Sequence, residues 1–249
     1  MERIKDMRLV ELLDPQQHEH ILDLGCGKGE ETQEIAGKSV ARVVGIDHSE
    51  CFSDEWDQAR NDYENLEFQV MKAASLKFNE EFDAVFSNLV IHHIKPPEPV
   101  IFSVWNALKP GGRFVAEFYG HGTAEEIILA LQQVMSDRNS SFDINKNFPW
   151  YLPTQEEYCE LLASQGFTEI VKRIFPKRLD DVGDIRTWTG NLLLNIKPFV
   201  DMDDKNRQII FQEVQNQVRS QLSENNKWFV NCQHIRIVAR KYSQLSNNN

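Results

Sequence analysis

The stretch Ile21-Leu22-Asp23-Leu24-Gly25-Cys26-Gly27-Lys28-Gly29 places three glycines at alternate positions directly after a short apolar run. Glycines there let a ligand approach the backbone where side chains would block it. An acid, Asp47, closes a second apolar run, Val43-Val44-Gly45-Ile46. A carboxylate at that point can accept hydrogen bonds from both hydroxyls of a ribose. Together the two features point to a nucleoside-containing ligand, with a plain structural turn as the alternative.

The spacing separates the classes of nucleoside. A dinucleotide fingerprint needs its third glycine where Glu30 stands, and a glutamate near a helix start would repel a pyrophosphate. A phosphate loop needs a hydroxyl residue after its lysine, and Gly29 follows Lys28. An acid two residues before the first glycine, Asp23, suits a cationic amino-acid nucleoside, whose ammonium group it would attract through water.

These residues need strands and turns to hold them. His20 to Leu24, Arg42 to Ile46, Leu66 to Val70 and Phe82 to Ser87 read as the first four strands. Arg113 to Phe118 reads as the fifth, after the breaker Lys109-Pro110-Gly111-Gly112. Helical spacing covers 3–13, 49–61 (with Ser49 as a plausible N-cap) and 99–108. Strands alternating with helices imply a parallel, doubly wound sheet covered on both faces. The second half differs: helix-like stretches near 123–137, 154–165, 181–198 and 203–222 are joined by β-rich runs at 167–175 and 228–240. The tail 243–249 is low in complexity and is expected to fray.

On these motifs the chain resembles the class I S-adenosylmethionine-dependent methyltransferases. ILDLGCGKG, VVGID, FDAVFSN and LKPGGRFVAEF correspond in order and spacing to their first, second, fourth-strand and fifth-strand segments. The resemblance implies a Rossmann-like α/β fold: a seven-stranded sheet with a terminal antiparallel strand, for which 228–240 is suited, and a helical substrate cap. It implies one methyltransferase domain over 1–249, with a cofactor half (1–118) and a substrate half (119–240). It also implies S-adenosylmethionine as cofactor, held by Asp23, Gly25, Cys26, Gly27, Gly29, Asp47, His48, Lys72, Ala73, Ala74, Ser87 and Asn88. One departure stands out. The family's adenine-reading acid after the third strand is Lys72 here, and lysine cannot accept a hydrogen bond. Adenine recognition would then fall to backbone groups near Ala73 and Ala74.

A sulfonium methyl is already activated, so the protein mainly aligns donor and acceptor and excludes water. A carboxylate acceptor needs no base, whereas a hydroxyl or an ammonium does. Candidate bases are His92 and His93, just past the fourth strand, and His121 after the fifth; packing is the competing role for the first two. Trp188-Thr189-Gly190 and the helices around it resemble the trans-aconitate and juvenile hormone acid methyltransferase group, whose substrates are often carboxylic acids. Tyr119, Trp150, Tyr151, Trp188 and Arg186 are the candidate substrate contacts, with Lys177 and Arg178 as further cations and core packing as the alternative for the aromatics. The expected acceptor is a small molecule, with O-methylation of a carboxylic acid one option. The alternatives are a protein or RNA acceptor, or a non-catalytic cofactor-binding protein.

The whole chain bounds these readings. Its 249 residues suffice for one α/β domain with a helical elaboration. A net charge of −11, with no Lys/Arg cluster, speaks against nucleic acid and anionic membranes as partners. The cysteines Cys26, Cys51, Cys159 and Cys232 form no C-x-x-C pair, so neither a metal site nor a disulfide framework is expected, in keeping with a reducing cytoplasmic location. No apolar run reaches the roughly 20 residues that cross a bilayer. The oligomeric state is left open.

Overall fold

The computed structural model describes residues 6–242 except 39, 139–141 and 194–196. Residues 3–5 of the first expected helix and the tail 243–249 lie outside the described residues. By internal contacts the chain falls into two compact units. Met1–Tyr119, Pro153–Phe175 and Ile235–Asn249 make up the first, and Gly120–Leu152 with Pro176–His234 the second.

The first half of the chain runs α1 (Leu9–Leu13), β1 (His20–Leu24), α2 (Glu30–Ala36), β2 (Arg42–Asp47), α3 (Ser53–Asp62), β3 (Leu66–Val70), β4 (Phe82–Asn88), α4 (Glu98–Ala107) and β5 (Leu108–Tyr119). There follow α5 (Glu125–Ser136), α6 (Ile144–Asn147), α7 (Gln155–Gln165), β6 (Phe167–Asp180), α8 (Ile185–Leu193), α9 (Asp204–Leu222), β7 (Ser223–Glu224) and β8 (Lys227–Lys241).

The sheet has the order β3-β2-β1-β4-β5-β8-β6, with β7 paired to β8 off this path. Strands β3, β2, β1, β4 and β5 are parallel, with Ile21 opposite both Val43 and Ala84. Ile21, Leu22, Leu24, Val43 and Val44 are fully buried, as parallel strands covered on both faces must be. Strand β8 runs the other way: Arg236 bonds Glu117 near the end of β5, whereas Lys241 reaches the Leu108 carbonyl at its start. Against β6 the sense is again opposed, with the Thr168 hydroxyl on the Arg240 carbonyl and Arg236 over the Phe175 ring. This is the doubly wound, Rossmann-like sheet with a terminal antiparallel strand that the sequence motifs imply.

Several local readings change. Helix α2, which follows the glycine loop directly, has no counterpart among the helices read from spacing. Helix α3 starts at Ser53, not Ser49, because the Ser49 hydroxyl accepts the Cys51 N–H while its own N–H goes to Asp47. Residues 6–8 are not helical, and α1 begins only at Leu9. The Lys109–Gly112 breaker does not delay β5: Leu108 pairs with Phe82, and the register shift falls between Phe82 and Ala84, so the breaker is absorbed as an irregularity within the strand.

In the second unit, Ile127, Leu131 and Val134 of α5 and Ile210, Val214 and Val218 of α9 form the buried stripes of two packed helices. Phe199 lies 5.4 Å from Phe142 and 5.9 Å from Phe211, and is wholly buried, which makes it core. Asn225 and Asn226, both at positive φ, turn β7 into β8 as a two-residue hairpin. Among the described residues no helix is long and apolar enough to cross a membrane.

Candidate functional site

The carboxyl ends of β1 and β2 are joined through the glycine loop. The N–H groups of Gly25 and Cys26 both donate to the Ile46 carbonyl, and Gly27 N–H donates to Asp47 Oδ2 at 3.1 Å. The other oxygen of Asp47 accepts Ser49 N–H at 3.0 Å, with His48 Nδ1 at the same distance. Asp47 is only 9% exposed and fixed at both oxygens, each of which keeps a lone pair for a further donor.

The three loop glycines do different work. At Gly27 (φ +51) an added Cβ would meet nothing within 4 Å, so the space beside it is open. At Gly29 it would strike the Phe68 ring at 2.6 Å, and at Gly25 the Val90 side chain at 2.3 Å. Those two glycines make room for the protein's own packing. Trp56 pins the loop from outside by donating Nε1–H to the Gly27 carbonyl at 2.8 Å, its ring stacked on Phe68 at 5.2 Å.

Beneath the loop, Asp23 is 3% exposed and accepts the Thr32 hydroxyl at 2.7 Å. Burial, with Glu31 and Asp47 nearby, pushes its carboxyl up to about 7. Burial also raises Glu31, whose two oxygens receive the Asn88 amide at 2.9 and 3.1 Å. Cys26 is partly buried, and its thiol is likewise pushed up by burial, which makes it unreactive packing.

A cavity of about 560 Å³ opens beside the loop, lined by Gly25, Ile46, Asp47, His48, Met71, Lys72, Ala73, Ala74, Val90, His93 and Ile94. Its size suits a ligand of nucleoside scale. Seven of the residues singled out from sequence therefore share one wall: Gly25, Asp47, His48, Lys72, Ala73, Ala74 and His93. Lys72 is exposed and precedes a single 3-10 turn, Ala73–Ser75, whose first two residues line the cavity. Ser87 is not among the lining residues; fully buried, it donates to the Leu24 carbonyl at 3.0 Å and ties β4 to β1. Val90, Ile94 and Met71 were not legible as site residues, because apolar side chains beside a turn carry no signal of their own.

The two adjacent histidines part company. His93 lines the cavity, and burial, then His48, hold its imidazole below the ordinary histidine range. His92 is 1% exposed and packs between His93 and Tyr119, at 4.1 and 4.4 Å. The remaining candidates belong to the second unit. His121 is exposed in a turn. Trp150 and Trp188 are both half-buried and meet edge to face at 6.1 Å; Tyr151 is half-buried. Arg186 is already engaged by the Asp184 carboxylate and by Gln212. Among the described residues no group of three or more His, Cys, Asp or Glu side chains is placed to hold a metal.

Residues 22–116 match a methyltransferase domain model, a span that holds the glycine loop and strands β1 to β4. That match, with the sheet order, supports S-adenosylmethionine-dependent methyl transfer as the chemistry of this chain. An uncharacterized methyltransferase of Schizosaccharomyces pombe is 28% identical over 241 residues, covering 94% of this chain and 90% of that one. A tRNA U34 carboxymethyltransferase of Psychromonas ingrahamii is 27% identical, over 81% of this chain and 60% of its own length. The chain spans between 46% and 60% of the tRNA carboxymethyltransferases it matches. In fold it is similar to the YcgJ protein of Bacillus subtilis (TM-score 0.66, 15% identity, 94% and 97% covered). It is also similar to Haemonchus contortus phosphoethanolamine N-methyltransferase 2 in complex with S-adenosyl-L-methionine (TM-score 0.59, 20% identity, 94% and 51% covered).

The residues present fit that cofactor. Asp47, which lines the cavity, offers the acceptors a ribose needs.

Proposed function

We propose that the chain methylates a small molecule whose accepting atom gives up a proton to His93. The observation that carries this reading is His93 lining the same cavity as Asp47, its imidazole held below the ordinary histidine value by partial burial and by His48. Bound S-adenosylmethionine supplies a methyl group already activated on a positive sulfur. Asp47 and the Gly27 backbone would hold its ribose, the Ala73–Ala74 backbone its adenine, and Asp23 would balance its ammonium group through water.

A hydroxyl or ammonium acceptor must lose a proton, and a neutral imidazole at the cavity wall takes it. A carboxylic acid is the less favoured acceptor. Arg186 is bound to Asp184, and Arg178 to Asp180 and Glu224, so two of the three candidate cations for a carboxylate are already paired. For an apolar or aromatic acceptor, the half-buried Trp150, Tyr151 and Trp188 are the candidate contacts. A net charge of −11 supports a small acceptor over RNA. The four cysteines, all free, support a reducing cytoplasmic location.

A second reading, methylation of RNA, is favoured by the tRNA carboxymethyltransferase relatives alone. Radiolabelled methyl transfer separates the readings, with panels of phenols, amines and carboxylic acids run beside bulk tRNA. Product on a phenol or amine that is lost in His93→Ala supports the proposal. Product on tRNA alone overturns the small acceptor, and full turnover by His93→Ala overturns the base.

A further inference from the structure

His92 and His93 follow one another in a single 3-10 turn after β4, yet only His93 reaches the cavity. His92 is turned inward, 1% exposed. Its Nδ1 accepts the backbone N–H of Tyr119, at the end of β5, at 3.4 Å. A nitrogen that accepts an N–H carries no proton, so the imidazole proton sits on Nε2. Placing a second proton on Nδ1 would set two donors face to face in a buried site. The ring is also gripped on both sides: His93 lies against it at 4.1 Å with the planes 41° apart, and the Tyr119 ring at 4.4 Å with the planes 40° apart.

From this arrangement we infer that His92 is a positioning residue: anchored to the Tyr119 backbone as the uncharged Nε2–H tautomer, it braces the ring of His93 at the cavity wall. The anchor is at the end of β5 and the braced ring at the end of β4, so the neighbouring strands fix the base through one buried ring. Keeping His92 uncharged also keeps a positive charge from direct contact with His93. The other charged or titratable groups facing His93 across the cavity are Asp47 and His48 after β2 and Lys72 after β3. Lys95 follows two residues after His93. His48 already disfavours a proton on His93, and burial does so more strongly. His93 itself is exposed, and contact with the His92 ring limits how far its imidazole turns away from the cavity.

The inference rests on the reading of His93 as base, but its test does not need a methyl acceptor. Nitrogen-15 NMR of the histidine rings is followed from pH 5 to 9 in the whole chain. His92 should keep an unprotonated Nδ1 at neutral pH, while His93 titrates below the ordinary histidine value. A His92 that carries its proton on Nδ1, or is charged at pH 7, overturns the inference in the native protein.

Two variants then separate bracing from bulk. His92→Asn keeps an acceptor near Nδ1 but loses the ring, and should raise the His93 midpoint by about half a pH unit or more. His92→Phe keeps the ring but leaves the Tyr119 N–H without its acceptor, and should shift that midpoint less than His92→Asn does. Should His92→Asn fold, with native backbone shifts, and titrate like the native chain, the bracing role is overturned. Full turnover of His93→Ala on an acceptor found by the radiolabel screen removes the base and leaves the NMR result standing, so the two failures are distinct.

Discussion

Gly27 donates its backbone N–H to the carboxylate of Asp47 at 3.1 Å, which fastens the glycine loop after β1 to the end of β2. The carboxylate read as the ribose acceptor is thus also a structural tie of the loop that would cradle the cofactor. Asp47→Ala removes both the acceptors and the tie. Calorimetric titration with S-adenosylmethionine should show affinity lower by about 10- to 100-fold, the worth of one or two charge-assisted hydrogen bonds. Unchanged affinity would contradict the ribose role.

The loop glycines should respond in opposite ways to a side chain. Gly27→Val points into open space, so the variant should fold, at a backbone strain of about 1–2 kcal/mol from φ +51, and lose cofactor affinity. Gly29→Val drives into Phe68 and, at φ +84, also strains the backbone, so it should lower the melting temperature before any ligand is added. Thermal melts and titrations on both variants check this. A Gly27→Val chain with native affinity would mean that the cofactor does not approach there.

Asp23 links stability to pH. Its carboxyl is raised by burial to about 7 from an ordinary 3.8, so between these values the folded chain holds a proton that the unfolded chain has released. This contribution is fully present below pH 3.8 and is lost as pH rises through 7. Without cofactor, native stability relative to Asp23→Asn should therefore fall by a few kcal/mol over that window, which urea titrations at a series of pH values would measure. A flat difference would show that Asp23 is ionised in the folded chain.

Glu117 and Arg236 form a buried pair, with Arg236 Nε on Glu117 Oε2 at 2.7 Å and Nη1 on the Met7 carbonyl at 2.8 Å. The guanidinium is 6% exposed. Glu117→Ala strands a buried cation and should cost about 3–5 kcal/mol by urea unfolding. Replacing both by apolar residues of similar volume, Glu117→Leu with Arg236→Met, should restore much of that loss. A single variant as stable as the native chain would show that solvent reaches the arginine.

The Arg186 guanidinium and the Asp184 carboxylate bond to each other two residues apart. Arg186→Ala should then change stability by less than about 1 kcal/mol, as exposed pairs do, and leave methyl transfer to phenols or amines intact. A selective loss of turnover on carboxylic acids would return Arg186 to the acceptor side and favour that substrate class.

What the sequence determined by itself was the cofactor half. Strands β1 to β4 agree with their apolar runs to within a residue at either end, because a buried parallel strand is a short apolar run between turn residues. Asp23, Gly27 and Asp47 were legible because glycines and acids at strand ends are otherwise hard to explain. Tertiary structure decided what pattern could not carry. It showed that Gly25 and Gly29 are held to glycine by packing against Val90 and Phe68, whereas Gly27 has open space beside it. It turned His92 inward and left His93 at the cavity, although their sequence signal is the same. It placed Ser87 on the Leu24 carbonyl and Arg186 on Asp184, two residues whose types suit binding and whose partners make them structural. The reason is the same in each case: chain position fixes a backbone and a residue type, whereas a side chain's role depends on the distant atoms that meet it, and the fold brings those together.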